Sequence, residues 1–326
     1  MKFLKIDLMI IKIISSVLLA CVFPLKGNFI NLFKYLTIAA IFILFFMHGA
    51  KLSRKKIIMG SSNWQLHLWI LFSTFIMFPL LGMVLIWCHL ININPEIDNG
   101  FLYLCSMPAT VQSAIALTSI AGGNVAASVC SASASSILGI FISPLIVKLV
   151  LGMHSTGLSI NNEIEQIYKI ILQLLIPFLA GHISRRWIYK WVDKNNDLIN
   201  QVDQISILLV VYSAFSEAVI NGIWYIVGIH TLLWVLIECL ILLFLVLIIN
   251  YLVACLFNFK RCDAIVLLFC GSKKSLANGI PMANILFPVS SVGIIILPLM
   301  IFHQVQLMAC SYIAQLYKEQ NKTDNY

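Results

Sequence analysis

Charge is scarce in this sequence. Aspartate, glutamate, lysine and arginine together make up 10% of its 326 residues, against about 25% in an ordinary soluble domain. Hydrophobic residues fill 61% of the chain. Those proportions exclude a soluble globular protein. Paired cysteines are also lacking. Cys21, Cys88, Cys105, Cys130, Cys239, Cys255, Cys262, Cys270 and Cys310 form no CxxC pair, and most lie inside apolar runs. We read them as small buried hydrophobes, which leaves no disulfide framework and no metal site. No nucleotide-binding motif, paired carboxylates or Ser/His/Asp set can be placed together. That argues against ATP-driven work by this chain alone and against an enzyme, and no cofactor is expected.

What the chain has instead is long apolar runs. They recur along the whole length, with a mean hydropathy of +0.97. We expect ten membrane segments, near 7–25, 30–50, 64–90, 99–120, 123–150, 165–188, 203–223, 227–257, 262–287 and 291–316. A span needs about 20 apolar residues, so there is no room for a separate soluble domain, and 1–326 reads as one membrane domain. Lys2 and Lys5 ahead of an apolar run resemble a signal peptide. Asp7 and Lys12 interrupt that run, so an uncleaved first helix is expected. The net charge of +8 does not point to nucleic acid, because the lysines and arginines sit in short links between apolar runs. Lys51, Arg54, Lys55, Lys56, Arg185, Arg186, Lys190, Lys194, Lys260, Arg261, Lys318 and Lys322 all fall on the side that holds both termini. By the positive-inside rule that side is cytoplasmic. The protein is therefore expected to be multi-pass, in the plasma (inner) membrane if the source is bacterial.

Ten segments divide into two inverted halves of five, about 1–155 and 156–326, which is a transporter architecture. The ninth segment carries Phe269-Cys270-Gly271-Ser272-Lys273-Lys274-Ser275-Leu276-Ala277-Asn278-Gly279-Ile280-Pro281. Two lysines in the middle of a span are costly, and Gly271, Gly279 and Pro281 weaken a continuous helix. A broken helix facing a protected cavity is expected. Its counterpart in the first half, the fourth segment, is interrupted at Pro108 with Thr110, Gln112 and Ser113 beyond. Paired interruptions at equivalent positions mark a midplane binding site. The fifth segment is rich in small residues, which suit close helix packing; Asn124 and Ser128 lie nearest the fourth-segment break and are the candidate ligands there. The tenth carries His303, Gln304 and Gln306. Glu217, with Ser213 and Ser216 for company, is an acid for a wet cavity. Glu238 reads as a structural counter-ion and His48 as an interfacial residue.

Four stretches carry a family likeness: Phe46-Met47-His48-Gly49-Ala50-Lys51-Leu52-Ser53, Met107-Pro108-Ala109-Thr110-Val111-Gln112-Ser113, Gly123-Asn124-Val125-Ala126-Ala127-Ser128 and Cys270-Gly271-Ser272-Lys273-Lys274-Ser275-Leu276-Ala277. The sequence resembles the bile acid–sodium symporter (SBF-like) family over nearly its whole length. It is most similar to the branch containing the seventh human solute carrier of that group and its bacterial relatives. The resemblance implies ten helices, a panel and a core domain, and helices 4 and 9 crossing where they unwind. It also implies two sodium sites beside the crossing. Ser113 and Ser128 match ligand positions there. The acid position falls near Phe269 or Cys270 and the glutamine position at Lys273, so this chain lacks the carboxylate and gains an ammonium. Ordinary two-sodium coupling is not expected.

These readings converge on a secondary transporter, of the symporter type, for a small organic anion. Gln112, Ser113, Asn124, Ser128, Lys273, Lys274, Ser275, Glu217, His303 and Gln304 are the candidate binding residues. Lys273 is expected at the helix 4/helix 9 crossing near Gln112, Ser113 or Ser128, acting as a built-in cation with Glu217 as its balancing acid. The expected partners are the anion, a proton or sodium as coupling ion, and the lipid bilayer, with no nucleic acid. The alternative is a non-transporting membrane regulator or sensor with the same fold.

Overall fold

The computed structural model describes residues 8–25, 28–51, 63–88, 95–152, 171–220, 222 and 227–323. Among them the regular elements are all helices. In chain order they are α1 (Leu8–Val22), α2 (Asn28–Lys51), α3 (Trp64–Trp87), α4 (Pro95–Ser106), α5 (Gln112–Ile120), α6 (Val125–Gly152), α7 (Ile176–Lys194), α8 (Asn196–Ile220), α9 (Ile229–Leu256), α10 (Arg261–Gly271), α11 (Leu276–Leu286) and α12 (Val289–Thr323). A π-helical turn, Ile171–Leu175, leads into α7. Among the described residues, six stretches are long and apolar enough to cross a bilayer: Phe29–Lys51, Trp64–Trp87, Val125–Gly152, Asp197–Ile220, Ile229–Leu256 and Val289–Gln320. In hydrocarbon every backbone polar group needs an internal partner, and a helix supplies one within its own segment.

Each expected window holds helix, with instructive differences. The windows at 99–120 and 262–287 each contain two helices, α4/α5 and α10/α11. The stretch 189–202, expected as a link, is helical except at Asn195. A helix can continue past its apolar part into polar residues, so hydropathy marks only the membrane-like portion of it. The same applies to α12, which continues to Thr323. Lys2, Lys5, Asp7, Lys26, Arg54, Lys55, Lys56, Glu163, Glu165 and Lys169 lie outside the described residues.

The helices fall in two compact units. The first comprises Met1–Leu52, Gly157–Gly228 and Gly279–Ile296. In it α2 packs on α7 and α8, and α1 packs on α8. The α2 and α7 backbones touch, because a Cβ on Gly49 would collide with the Phe178 carbonyl and one on Gly181 with the Phe46 carbonyl. Small residues at such positions let membrane helices approach closely. At the end of α2, Lys51 Nζ donates to Asp203 Oδ2 (2.5 Å) and Asn200 Oδ1 (3.0 Å) of α8. His48 Nε2 is 3.7 Å from the same Asp203 oxygen. His48 thus meets a buried carboxylate; its place on α2, one turn before Lys51, brings it there.

The second unit comprises Ser53–Thr156, Ile229–Asn278 and Leu297–Tyr326. Its core joins Leu66 and Ile70 of α3, Ala114 of α5, Ala127 and Ala132 of α6, and Val266, Leu267 and Cys270 of α10. Gly122, with φ 75°, ends α5, and Gly123 N–H bonds back to the Thr118 carbonyl at 2.8 Å. A glycine is favoured at that left-handed position. One acid ties three helix starts together. Asp263 of α10 accepts from Asn63 Nδ2 (3.1 Å), the cap of α3, and from Asn124 Nδ2 (3.0 Å), just before α6.

Candidate functional site

Helices α4 and α10 both stop short inside the second unit, and the chain resumes as α5 and α11 after Met107–Val111 and Ser272–Ser275. The first stop follows from Pro108, which has no N–H and cannot continue a helix. The breaks meet. Ser275 N–H donates to the Pro108 carbonyl at 2.8 Å, and the Thr110 hydroxyl donates to the Lys274 carbonyl at 2.8 Å. Helix ends leave carbonyls and amides unpaired, and here side chains take them up. Ser73 donates to the Gly271 carbonyl (2.7 Å), Ser272 to the Leu268 carbonyl (2.5 Å), and Ala109 N–H donates to Ser135 Oγ (3.0 Å). Gln306 of α12 pairs with the whole Lys274 peptide, its Oε1 accepting from Lys274 N–H at 2.8 Å and its Nε2 donating to the Lys274 carbonyl at 2.9 Å. Helix α6 passes close to the first break at Gly139, where a Cβ would lie 2.5 Å from Pro108 Cβ.

The two lysines have opposite surroundings. Both are 0% exposed. Lys274 Nζ donates to the carbonyls of Thr74, Cys105 and Met107, each at 2.7 Å. It also sits 4.0 Å from the centroid of the Phe78 ring, within cation–π range. Two of these carbonyls are free for local reasons. A π-helical turn, Ser73–Met77, lies inside α3, and Phe78 N–H bonds to the Ser73 carbonyl five residues back. The next donor in that register is residue 79, a proline, so the Thr74 carbonyl has no backbone partner. In α4, the amide that would reach the Cys105 carbonyl belongs to Ala109, and it goes to Ser135 instead.

Lys273 Nζ, in contrast, has no hydrogen-bond partner among the described residues. The Phe269 ring centroid is 5.8 Å away, and the thiols of Cys270 and Cys310 are its electrostatic neighbours. Gln112, Ser113 and Ser128 do not hydrogen-bond it. Of the two adjacent ammonium groups, it is thus Lys274 that backbone carbonyls surround, and Lys273, the expected built-in cation, that has no such contacts. In an unwound segment adjacent side chains diverge, and only one can enter the carbonyl cage.

The remaining candidates divide in two. Ser128 is buried and accepts from Thr118 Oγ1 (3.2 Å), with Cys270 Sγ 3.3 Å away. Ser113 Oγ, on the first turn of α5, is buried with no hydrogen-bond partner among the described residues. Ser275 accepts from Asn278 N–H (3.2 Å) and so caps α11. His303 Nδ1 lies 2.9 Å from Gln306 Nε2 and 3.3 Å from the Lys274 carbonyl. Gln112 is exposed and Gln304 half-buried. Asn124 holds Asp263 and the α6 start rather than the breaks. Glu217 is half-buried and belongs to the first unit, whereas Lys273 belongs to the second. Thr74, Ser73, Ser135 and Gln306 also serve the breaks, and none is among the candidate binding residues that the sequence marks. The Phe78-Pro79 pair inside an apolar span was a readable signal for the freed carbonyl.

Residues 7–319 match the model of the SBF-like CPA transporter family. The chain is 56% identical over 323 residues to a protein of Escherichia coli (strain K12) named "Putative symporter YfeH", covering 99% of this chain and 96% of that one. It is 26% identical over 317 residues to sodium/bile acid cotransporter 7-A of Xenopus laevis, covering 95% and 90%. It is 28% identical over 297 residues to sodium/bile acid cotransporter 7 of Mus musculus, covering 87% and 83%. The family likeness carried by the four stretches is borne out over nearly the whole chain: this protein belongs to the SBF-like CPA transporter family.

Proposed function

We propose that the chain is a secondary transporter that carries a small organic anion across the membrane by alternating access. In this reading it is one membrane domain of ten helices in two inverted halves, about 1–155 and 156–326, with both termini cytoplasmic. The observation that carries the substrate class is Lys273: a fully buried ammonium, without a hydrogen-bond partner among the described residues, at the junction of two broken helices. A buried cation in a membrane protein needs an anionic or polar partner. The starts of α5 and α11 lie at the same breaks, and helix N-termini carry partial positive charge that favours anions. Ser113 and Ser128 add hydroxyls on α5 and α6.

The relatives' names pair transport with sodium or symport. In this chain Phe269 and Cys270 stand where the resemblance places a sodium-binding acid, and Lys273 stands at the glutamine position. Coupling to sodium at that place is disfavoured, and a proton is the coupling ion of this reading. Uptake of labelled organic anions into proteoliposomes tests it. Wild-type protein is expected to take up an anion equally in sodium and in choline, and Lys273→Gln is expected to abolish uptake or make it cation-dependent while leaving the protein folded. A steep, cooperative sodium dependence of the wild type overturns the coupling assignment. Anion binding without uptake favours the sensor reading instead.

A further inference from the structure

We infer that Lys274 is a built-in cation: its ammonium fills a carbonyl cage of the kind that holds a dehydrated monovalent cation, and joins the α3 turn to the α4 break. An ammonium has three N–H donors and no acceptor. Here each donor has one carbonyl, from Thr74, Cys105 and Met107, all at 2.7 Å. The Phe78 ring closes a fourth side at 4.0 Å. Backbone carbonyls arranged around a point replace the hydration shell of a monovalent ion, as in channel filters. Among the described residues no carboxylate forms a salt bridge with Lys274, so the cage has the neutral acceptors of such a site.

Tethering changes what the cage does. A free ion loses translational freedom when it binds and can leave again. The Lys274 ammonium is already on the chain, so its cross-link does not depend on the ionic composition of the medium. It spans three backbone segments: the π turn of α3, the end of α4, and the unwound segment after α10. Its own peptide is fixed from the other side by Gln306 and Thr110.

The test is thermal unfolding of the purified full-length protein in detergent, with no transported solute, so a failure of uptake leaves it standing. Wild type is expected to melt at the same temperature in sodium, potassium and choline chloride of equal ionic strength. Lys274→Ala empties the cage and is expected to lower the midpoint by several degrees. Millimolar ethylammonium or propylammonium, whose ammonium can reach the three carbonyls through the vacated side-chain channel, should restore part of that loss. Choline, with no N–H and a bulkier head, should not. An unchanged midpoint in Lys274→Ala overturns the inference, and so does a loss that no primary ammonium, sodium or potassium reverses. If Lys274→Ala does not fold, the wild-type salt series decides: a midpoint that rises in sodium over choline overturns the built-in cation, and indifference to all three salts supports it.

Discussion

Two lysines, one in each unit, show two ways to keep an ammonium in an apolar protein. Lys51 meets a carboxylate, Asp203, at 2.5 Å, with Asn200 beside it. Lys274 meets three neutral carbonyls and a ring face. The first arrangement cancels the charge and the second only solvates it. A side-chain partner can be substituted, whereas a backbone carbonyl cannot. The first pair should therefore be replaceable as a pair, while the second should tolerate no second-site repair at its acceptors.

The largest effect is expected from Lys274→Met, which leaves three buried carbonyls without their donor. Each buried polar group left unpaired costs about 1–3 kcal/mol. Loss of the monodisperse peak in gel filtration, or the largest fall in melting temperature of this series, is the expected result. A near-normal melt would erase the contrast with Lys51. Next comes Gly139→Val, which pushes on Pro108 and so on the Met107 carbonyl. Overpacking of that kind costs about 1–3 kcal/mol, and Gly139→Ala should melt between the wild type and Gly139→Val.

Lys51→Met is expected to cost less than Lys274→Met, because the Lys51 side chain keeps 21% exposure and water screens the pair. The sharper measurement is the cycle with Asp203→Asn. Removing both charges should restore much of what removing one loses, with a coupling of about 0.5–3 kcal/mol. Strict additivity in thermal melts would show that the pair is not a unit. The smallest effect concerns an anion. Glu238 is 1% exposed and neither carboxylate oxygen has a hydrogen-bond partner among the described residues. Glu238→Gln removes a group that is costly to bury charged, and a melting temperature equal to or above that of wild type is expected. A clear fall would mean that the carboxylate has a stabilising role that Lys51-type pairing does not capture.

The breaks were legible because their causes are local. Pro108 stops α4 by itself, and a lysine pair inside an apolar window demands either a loop or a break. The choice between Lys273 and Lys274 was not legible. Helical periodicity assigns faces only where the chain is helical, and residues 273–275 are outside any helix. The tenth segment shows its polarity in the sequence but not its facing. His303, Gln304 and Gln306 are all at least half-buried, and a helix turns by about 100° per residue. Residues 303 and 306, three apart, share a face and both reach the Lys274 peptide group, which no hydrogen bond of Gln304 does among the described residues. Asn124 is a candidate by its nearness in sequence to a break, and its hydrogen-bond partner, Asp263, lies far along the chain. Long-range pairings of this kind leave no periodic trace in one sequence.

The π turn of α3 has a consequence for how this protein can vary. The acceptors around Lys274 are main-chain oxygens, so mutation cannot alter their chemistry, only their availability. That availability depends on Pro79, which silences the amide facing Thr74, and on Ser135, which diverts the amide of Ala109. The cage is therefore encoded by residues that do not touch the ammonium. Among related chains, Lys274 should be inherited together with Pro79, Pro108 and the Ser135 hydroxyl. A lineage that drops the lysine should drift at all three, whatever side chains it carries at 74, 105 and 107.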